Sequence, residues 1–171
     1  MTNHIKITGK PRKPIDALGL GVFDGLHLGH QQISNKTSYL LTFDPHPLSV
    51  VKNIKDIKSI TTLRELRYIY PNLTVLHFNK HIASLSPLDF LNKIIKPYFQ
   101  VKKIIVGYDY RFGHKKQGTL DLLKQWGSKN SISIIEIPEY KKDGVTVKSG
   151  LIRKLILTDF NQAIQLLGRP Y

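Results

Sequence analysis

The chain has 171 residues, of which 41% are hydrophobic, and its 26 lysines and arginines outnumber 12 acidic residues to give a formal net charge of +14. The length suits one domain with a sizeable core. No apolar run is long enough for a membrane span, and no apolar signal segment follows the basic N-terminus. A cytoplasmic location is therefore expected. The charge favours anionic partners, the absence of RNA- and DNA-binding motifs disfavours nucleic acid, and the absence of cysteine excludes disulfides.

The first predicted strand, Ile15 to Val22, is apolar almost throughout, as in sheets covered by helices on both faces. It runs into GVFDGLHLGH, Gly21 to His30, and a helix is predicted directly afterwards. A strand, a glycine-containing turn and a helix N-terminus together place backbone N–H groups where an anion can bind. His27 and His30 flank Gly29, so both imidazoles are expected to hold a nucleotide phosphate.

The H-x-x-H spacing of this turn has two other interpretations. It could be half of a metal site, but no third ligand stands at metal-site spacing and no cysteine is present. The two histidines could also simply pack inside a turn. The dinucleotide fingerprint G-x-G-x-x-G is absent from the stretch.

The second predicted strand, Tyr39 to Phe43, follows a very short connection. Gln31 to Ser38 leaves room for only two turns of helix, which is short for a crossover between parallel strands. Either the crossover is trimmed or part of it has been lost from this sequence. In the loop TFDPHPLSV that follows, Pro45 and Pro47 predict an extended conformation outside helix and sheet. Such a loop at the carboxyl end of a strand is a typical place for a ligand in open α/β sheets.

The rest of the chain alternates between predicted helices and strands. Helices are predicted over Thr62–Tyr70, Ser86–Ile95, Thr119–Trp126, Gly150–Leu157 and Asp159–Leu167, and strands over Leu73–Phe78, Lys103–Val106 and Ile132–Ile137. Thr62 and Glu65 have the spacing of a capping box, and Gly127 and Gly168 are expected to end the helices before them. This alternation predicts an α/β fold, a doubly wound parallel sheet in three layers.

One predicted loop, GYDYRFGHKKQG, covers Gly107 to Gly118 and directly follows a short apolar strand. Its glycines are separated by aromatic and basic residues, which suits a loop that wraps a flat, anionic ligand. An ordinary surface loop with scattered aromatic residues is the alternative.

Four stretches stand in the order typical of one enzyme module, GVFDGLHLGHQ, TFDPHP, GYDYRFGHKKQG and SGLIRKLI, and AIQLLGRPY closes the chain. Over nearly its whole length the chain therefore resembles the FMN adenylyltransferase module of bacterial bifunctional riboflavin kinase/FAD synthetases, which are H-x-G-H nucleotidylyltransferases. The resemblance implies one such domain over residues 1–171, with a Rossmann-like nucleotidylyltransferase fold. In bifunctional members GRPY leads into a riboflavin kinase domain, which is absent from these 171 residues.

The resemblance implies that the chain transfers AMP from ATP to FMN, giving FAD and pyrophosphate, with Mg²⁺ accompanying ATP. His27, His30 and Arg153 would be catalytic. The residues implied to bind ATP are Gly21, Phe23, Asp24, His27, Gly29, His30, Asp109, Gly113, Lys116, Ser149 and Arg153. Those implied to bind FMN are Asp44, Pro45, His46, Asp109 and Phe112. No side chain is implied to bind a metal, and nothing in the sequence indicates an oligomeric state.

The chain departs from the family pattern at a few positions. Many members have Asn at the position of Asp109 and Arg at that of Lys116. At Lys148, Ser149 and Gly150 the family usually has S-S-T, so one hydroxyl becomes an ammonium and another is lost; residues missing from this sequence would give the same appearance. Two alternatives stay open: nucleotidyl transfer to another phosphorylated acceptor, and an inactive nucleotide- or RNA-binding module.

Overall fold

A computed structural model describes residues 5–54 and 57–171. Its main strands are β1 (Ile7–Thr8), β2 (Ile15–Leu20), β3 (Tyr39–Asp44), β4 (Leu73–His77), β5 (Val101–Gly107) and β6 (Ser133–Ile137). They form a six-stranded sheet in the order β1-β4-β3-β2-β5-β6, parallel except for β1, which pairs antiparallel with β4. The predicted α/β class with a doubly wound parallel sheet is confirmed. The edge strand β1 is not predicted because two residues carry no periodic signal.

Helices flank this sheet. They are α1 (Leu28–Ser34), α2 (Pro47–Lys52), α3 (Leu63–Ile69), α4 (Lys80–Ser84), α5 (Pro87–Phe90), α6 (Lys96–Tyr98), α7 (Leu120–Lys129), α8 (Ser149–Thr158) and α9 (Phe160–Leu167). A π-helical turn, Leu91–Ile95, joins α5 to α6, and a 3₁₀ turn, His114–Lys116, precedes α7. A small hairpin of β7 (Lys141–Lys142) and β8 (Val145–Thr146) stands before α8.

The two faces of the sheet build two separate cores. Successive strand residues point to opposite faces, so Leu18 and Leu41 join one cluster while Ala17 and Leu40 join the other. The first cluster includes the segment from α5 to α6 and Trp126 of α7. The second includes residues of α1 and α3. A third cluster holds α8 and α9 together, which completes the layers around the sheet.

The short crossover between β2 and β3 is accommodated by a helix of 7 residues. The two strands are direct parallel neighbours, with Leu18 opposite Tyr39 and Leu20 opposite Leu41. Helix α1 begins at Leu28 rather than at the predicted Gln31. The earlier start has a local cause, because the His27 side chain caps the helix by accepting a hydrogen bond from the His30 backbone N–H.

Two local predictions are wrong. The TFDPHPLSV loop is not extended throughout, since α2 begins at Pro47, and proline fits the first helical turn, where its missing N–H is not needed. His46 caps that helix by accepting from the Leu48 N–H. Gly127 does not end a helix, because α7 continues to Lys129. A Cβ at this glycine would lie 2.6 Å from the Ile132 carbonyl oxygen, so close packing requires it.

The sequence also gives no indication of α4 and the β7–β8 hairpin, both of which are only a few residues long. Other local signals are confirmed. Thr62 and Glu65 form both hydrogen bonds of a capping box at the start of α3. Gly168 ends α9 in the left-handed conformation with φ 65°.

Candidate functional site

A cleft of about 830 Å³ opens at the carboxyl ends of the parallel strands. Its lining comes from the segments that follow β2, β3, β4, β5 and β6, together with the approach to α8. Of the predicted site residues, those that line it are Gly21, Phe23, His27, Gly29, His30, His46, Asp109, Phe112, Gly113, Lys116 and Ser149. The other four, Asp24, Asp44, Pro45 and Arg153, do not appear in its lining.

The histidine turn, Gly21–His30, has an unusual backbone. Phe23, Gly25 and Leu26 have φ values of 55°, 87° and 40°, in the left-handed region that bulky residues rarely adopt. The Phe23 ring is fully buried, and a Cβ at Gly21 would lie 3.0 Å from it. Such strain persists only where surrounding contacts enforce it, and it is common at ligand sites.

The two imidazoles of this turn stack on each other. The His27 and His30 ring centroids are 3.6 Å apart with 17° between the planes, and Phe23 meets His30 edge-on at 5.4 Å. His27 Nδ1 accepts from the His30 backbone N–H at 3.3 Å. A Cβ at Gly29 would lie 3.3 Å from the His27 ring and 3.4 Å from the Val147 carbonyl oxygen, so this glycine leaves the space that the ring occupies.

Both histidines are neutral in this environment. Burial lowers the pKa of His27 to about 4, although the nearby Asp24 carboxylate acts in the opposite direction. Burial, reinforced by His27, also holds the pKa of His30 well below its usual value. Since Nδ1 of His27 accepts a hydrogen bond, its proton belongs on Nε2. Nδ1 of His30 is buried without a hydrogen-bond partner among the residues described.

The Asp24 carboxylate lies behind the histidine turn, where it is 6% exposed. One oxygen accepts from the backbone N–H groups of Ile60 and Thr61, at 2.8 and 3.3 Å. The other accepts from Arg153 Nη2 at 2.6 Å. The Ser149 hydroxyl donates to the Asp24 carbonyl at 2.9 Å, so α8 is bound to the turn at two points. The Arg153 Nε is buried and, in the described part of the chain, unpartnered.

The loop Gly107–Gly118 is built into the fold rather than lying loosely on its surface. Gly113, at φ 72°, packs so closely that a Cβ would lie 2.7 Å from the Pro87 nitrogen. The His114 N–H donates to the Leu85 carbonyl at 2.8 Å. Lys115 and Lys116 both have positive φ, and the loop lines the cleft from Gly107 to Lys116. These contacts favour a loop that is part of the cleft over an ordinary surface loop.

An aromatic wall, most of which the sequence does not predict, forms part of the cleft lining. It consists of Phe43, Phe78, Phe90, Tyr110 and Phe112, all of which line the cleft. Neighbouring rings are 5.6 to 6.5 Å apart. Part of the aromatic wall could have been predicted from the sequence, because an aromatic residue stands at or just beyond the ends of β3 and β4.

Lys148, Ser149 and Gly150, the residues that depart from the family pattern, lie at the start of α8. Lys148 Nζ lies 5.4 Å from the centre of the Tyr108 ring in the cleft lining, and hydrogen bonding to the Tyr108 side chain raises the pKa of the ammonium. No atom lies within 4 Å of a Cβ built on Gly150. A bulkier residue would therefore fit there.

A parallel sheet with an H-x-G-H turn at its carboxyl edge defines the class of Rossmann-like nucleotidyltransferase folds. One solved structure with this fold, described as a macrolide-efflux protein from Streptococcus pneumoniae, superposes with a TM-score of 0.77 at 26% identity, over 94% of this chain and 57% of that one. Within the class, the family model "FAD synthetase" matches residues 10–151. The chain belongs to the FAD synthetase family.

Curated relatives carry two related names. A bifunctional riboflavin kinase/FMN adenylyltransferase of Buchnera aphidicola (subsp. Schizaphis graminum) is 34% identical over 91% of this chain and 55% of the relative. The protein of that name from Escherichia coli K12 is 29% identical over 90% of this chain and 54% of the relative. A Listeria monocytogenes FAD synthetase is 27% identical over 99% of this chain and 75% of the relative. The chain spans about half the length of the bifunctional relatives.

Membrane insertion of a helix has no support in the structure. Across residues 5–54 and 57–171, none of the helices combines the length and the hydropathy that a span requires.

The buried, neutral state of His27 predicts a pH-dependent stability. The unfolded imidazole takes up a proton near pH 6.5 but the folded one only near pH 4, so the unfolded state binds more protons between these values and stability falls as the pH falls. His27→Asn keeps a capping side chain but cannot titrate, and it should remove about 3 kcal/mol of this loss. Urea unfolding of the wild-type protein and of His27→Asn at pH 7 and pH 4 measures the loss of unfolding free energy in each. Equal losses in the two proteins would contradict the prediction.

Proposed function

We propose that this chain is an FMN adenylyltransferase, a single domain over residues 1–171 that transfers AMP from ATP to FMN and releases pyrophosphate. The observation that carries the proposal is the pairing, within one cleft, of an aromatic wall with the His30 Nδ1 atom, which is buried without a hydrogen-bond partner in the described part of the chain. The buried His30 nitrogen suits a phosphate, and the aromatic wall suits a flat ring system. A volume of about 830 Å³ falls within the range of roughly 300–1,000 Å³ found for small-molecule sites.

The phosphates of ATP are proposed to lie at the histidine turn. His27 offers Nε2–H, and His30 has a buried nitrogen that a bound oxygen or water can satisfy. Neutral donors held in place by packing stabilise developing charge without having to reorganise. Arg153 and Lys116 would supply the positive charge, and Gly21, Phe23, Asp24 and Gly29 would shape the turn. Arg153 would reach the phosphates by using the free face of its guanidinium while Asp24 holds the other.

Flavin is proposed to lie against the aromatic wall. Aromatic side chains favour offset-stacked and edge-on contacts with flat rings, and Phe112 is the buried member next to Tyr110, at 5.6 Å. His46 and the Asp44–Pro45 segment would carry the FMN phosphate from the end of β3. Asp109, which is exposed at the cleft, and Gly113 would contact the nucleotides from the β5 loop. This wall favours flavin over a smaller phosphorylated acceptor.

The proposed reaction needs no nucleophilic side chain. An oxygen of the FMN phosphate attacks the α-phosphorus of ATP, the bond from that phosphorus to the bridging oxygen breaks, and pyrophosphate leaves with the electron pair. Catalysis then depends on holding two mutually repelling anions in line and on stabilising charge at the phosphoryl oxygens. The donors of the histidine turn and Arg153 would do this.

Mg²⁺ belongs to the proposal as part of the ATP substrate. Among residues 5–54 and 57–171, no group of three or more His, Asp or Glu side chains could hold a metal ion. When bound to the polyphosphate, Mg²⁺ would neutralise part of its charge. The cytoplasmic location stays a prediction, as do the small-molecule partners ATP and FMN.

The proposal predicts that purified protein converts FMN and MgATP to FAD and pyrophosphate. FAD is separated by chromatography and detected by its fluorescence, and pyrophosphate is measured in parallel. Replacing FMN by ribose 5-phosphate, and ATP by CTP, tests other acceptors and other nucleotides. FAD formation with neither replacement active supports the proposal. Tight binding of ATP or RNA without any transfer would instead favour an inactive binding module.

His30 is predicted to act on the transition state. His30→Phe keeps a ring between Phe23 and His27 but removes the donors, and His30→Ala removes both. Each should lower kcat roughly 10²–10³-fold with little change in the Michaelis constant for ATP, as for donors aimed at transition-state charge. His77→Ala, at an exposed histidine outside the cleft, is the control. A higher Michaelis constant with wild-type kcat would make His30 a ground-state binder.

The start of α8 is predicted to limit turnover. Combining Lys148→Ser with Gly150→Thr restores two hydroxyl donors, stiffens the helix start, and meets no steric obstacle at residue 150. We expect kcat for FAD formation to rise. Gly150→Ala, which stiffens without adding a hydroxyl, separates the two effects. Unchanged or lower turnover in the double variant would show that the Lys148 ammonium already compensates.

A further inference from the structure

The last residues described pack against the histidine turn. Arg169 Nε and Nη2 both donate to the Gly25 carbonyl oxygen, at 3.1 and 2.9 Å, and Nη2 also donates to the Thr61 hydroxyl at 2.6 Å. The guanidinium is half-buried, and Gly25 and Thr61 are both buried. A fork of donors around one carbonyl is a geometry that arginine offers and lysine does not.

A side chain of α1 links the next carbonyl of the turn to the chain end. The Gln31 side-chain amide donates to the Leu26 carbonyl at 3.0 Å and to the Leu167 carbonyl at 2.9 Å. A Cβ at Gly168 would overlap the Leu28 side chain, so the chain end lies directly on the start of α1. The segment 167–169 therefore holds the turn directly at Gly25, and the Gln31 side chain bridges Leu26 to it.

These contacts matter because the turn does not supply hydrogen-bond donors for its own carbonyl groups at Gly25 and Leu26. Gly25 and Leu26 adopt positive φ values, and their carbonyls are outside any helix or sheet ladder. A buried carbonyl without a donor is costly, so the left-handed conformation is stable only while outside donors are present. His27 follows Leu26 directly, and the position of its ring depends on the conformation of that turn.

We propose that Arg169 is a positioning residue, which fixes the histidine turn through the Gly25 carbonyl and so places His27 and His30 for phosphate binding. This inference rests on the proposed adenylyl transfer. Arg169 itself is absent from the cleft lining, so it acts through the turn rather than by touching substrate. Displacing reacting groups by about 1 Å can cost on the order of 10²-fold in rate.

The test compares Arg169→Met, which keeps the apolar stem, with Arg169→Lys, which keeps the charge. Arg67→Met is the matched control, since this exposed arginine donates to Thr8 on the edge strand, away from the turn. Steady-state kinetics are measured at a temperature well below the unfolding midpoint of each variant. We expect Arg169→Met to lower kcat 10- to 100-fold, Arg169→Lys to recover part of it, and Arg67→Met to match wild type.

A second measurement does not depend on activity. In protein labelled at histidine, NMR titration follows the His27 imidazole, whose pKa burial lowers to about 4 in the intact turn. Arg169→Met should release the turn and raise this pKa towards 6.5. Wild-type kcat together with an unchanged His27 titration would overturn the inference, even if the variant unfolds at lower temperature, because that pattern means a purely structural role.

Two further outcomes are informative. If wild-type protein makes no FAD, the proposed function fails, whereas the His27 titration still tests Arg169. If Arg169→Met does not fold, Arg169→Lys, which cannot form the fork on Gly25, takes its place. It should lower kcat several-fold in the same direction, and wild-type values for both kcat and the His27 titration in that variant would overturn the inference.

Discussion

The buried carboxylate of Asp24 is the contact on which the rest of the cleft depends. A buried charge is tolerated only when partners replace the water it has lost, and removing one partner of such a pair typically costs about 3–5 kcal/mol. Here the partners come from distant parts of the chain, the backbone of Ile60 and Thr61 and the guanidinium of Arg153. The carboxylate therefore joins the histidine turn, the approach to α3 and the last long helices into one unit.

The chemistry of the cleft follows from the same burial. An imidazole pair that had to be charged would repel itself at a ring distance of 3.6 Å. Burial keeps both rings neutral, which allows them to stack and leaves them as donors and acceptors of fixed direction. Positive charge is supplied at the margins, by Arg153 behind the turn and by lysines along the edge of the cleft. Directional donors and long-range attraction thus come from different side chains.

The sequence predicts the sheet well because its signals are local. Apolar runs such as Ile15 to Leu20 mark the parallel strands, and the glycine and histidine spacing of the turn places a cleft at their carboxyl ends. Features that depend on tertiary contacts are not predictable in this way. Gly127 looks like a helix terminator, but its lack of a side chain serves the packing of α7 on Ile132. The role proposed for Arg169 likewise depends on a contact with Gly25, 144 positions away.

The individual site residues also divide into those that local motifs predict and those that depend on tertiary contacts. The motif residues near the histidine turn reach the cleft, whereas Asp24 and Arg153 stand behind it as an ion pair whose two partners are 129 positions apart. Most of the aromatic wall escapes a motif search, since Phe43, Phe78 and Phe90 come from three separate elements and meet only after folding. Motifs identify the groups that define a family, but not the aromatic surface that we propose binds flavin.

The anchoring of the β5 loop has a mechanical consequence. Gly113 lies against Pro87, and the backbone of His114 is bonded to Leu85, so this loop and the α4–α5 segment form one rigid block. A rigid block cannot open by swinging its loop outward alone. Any change in the width of the cleft on this side therefore moves the loop and the α4–α5 segment together.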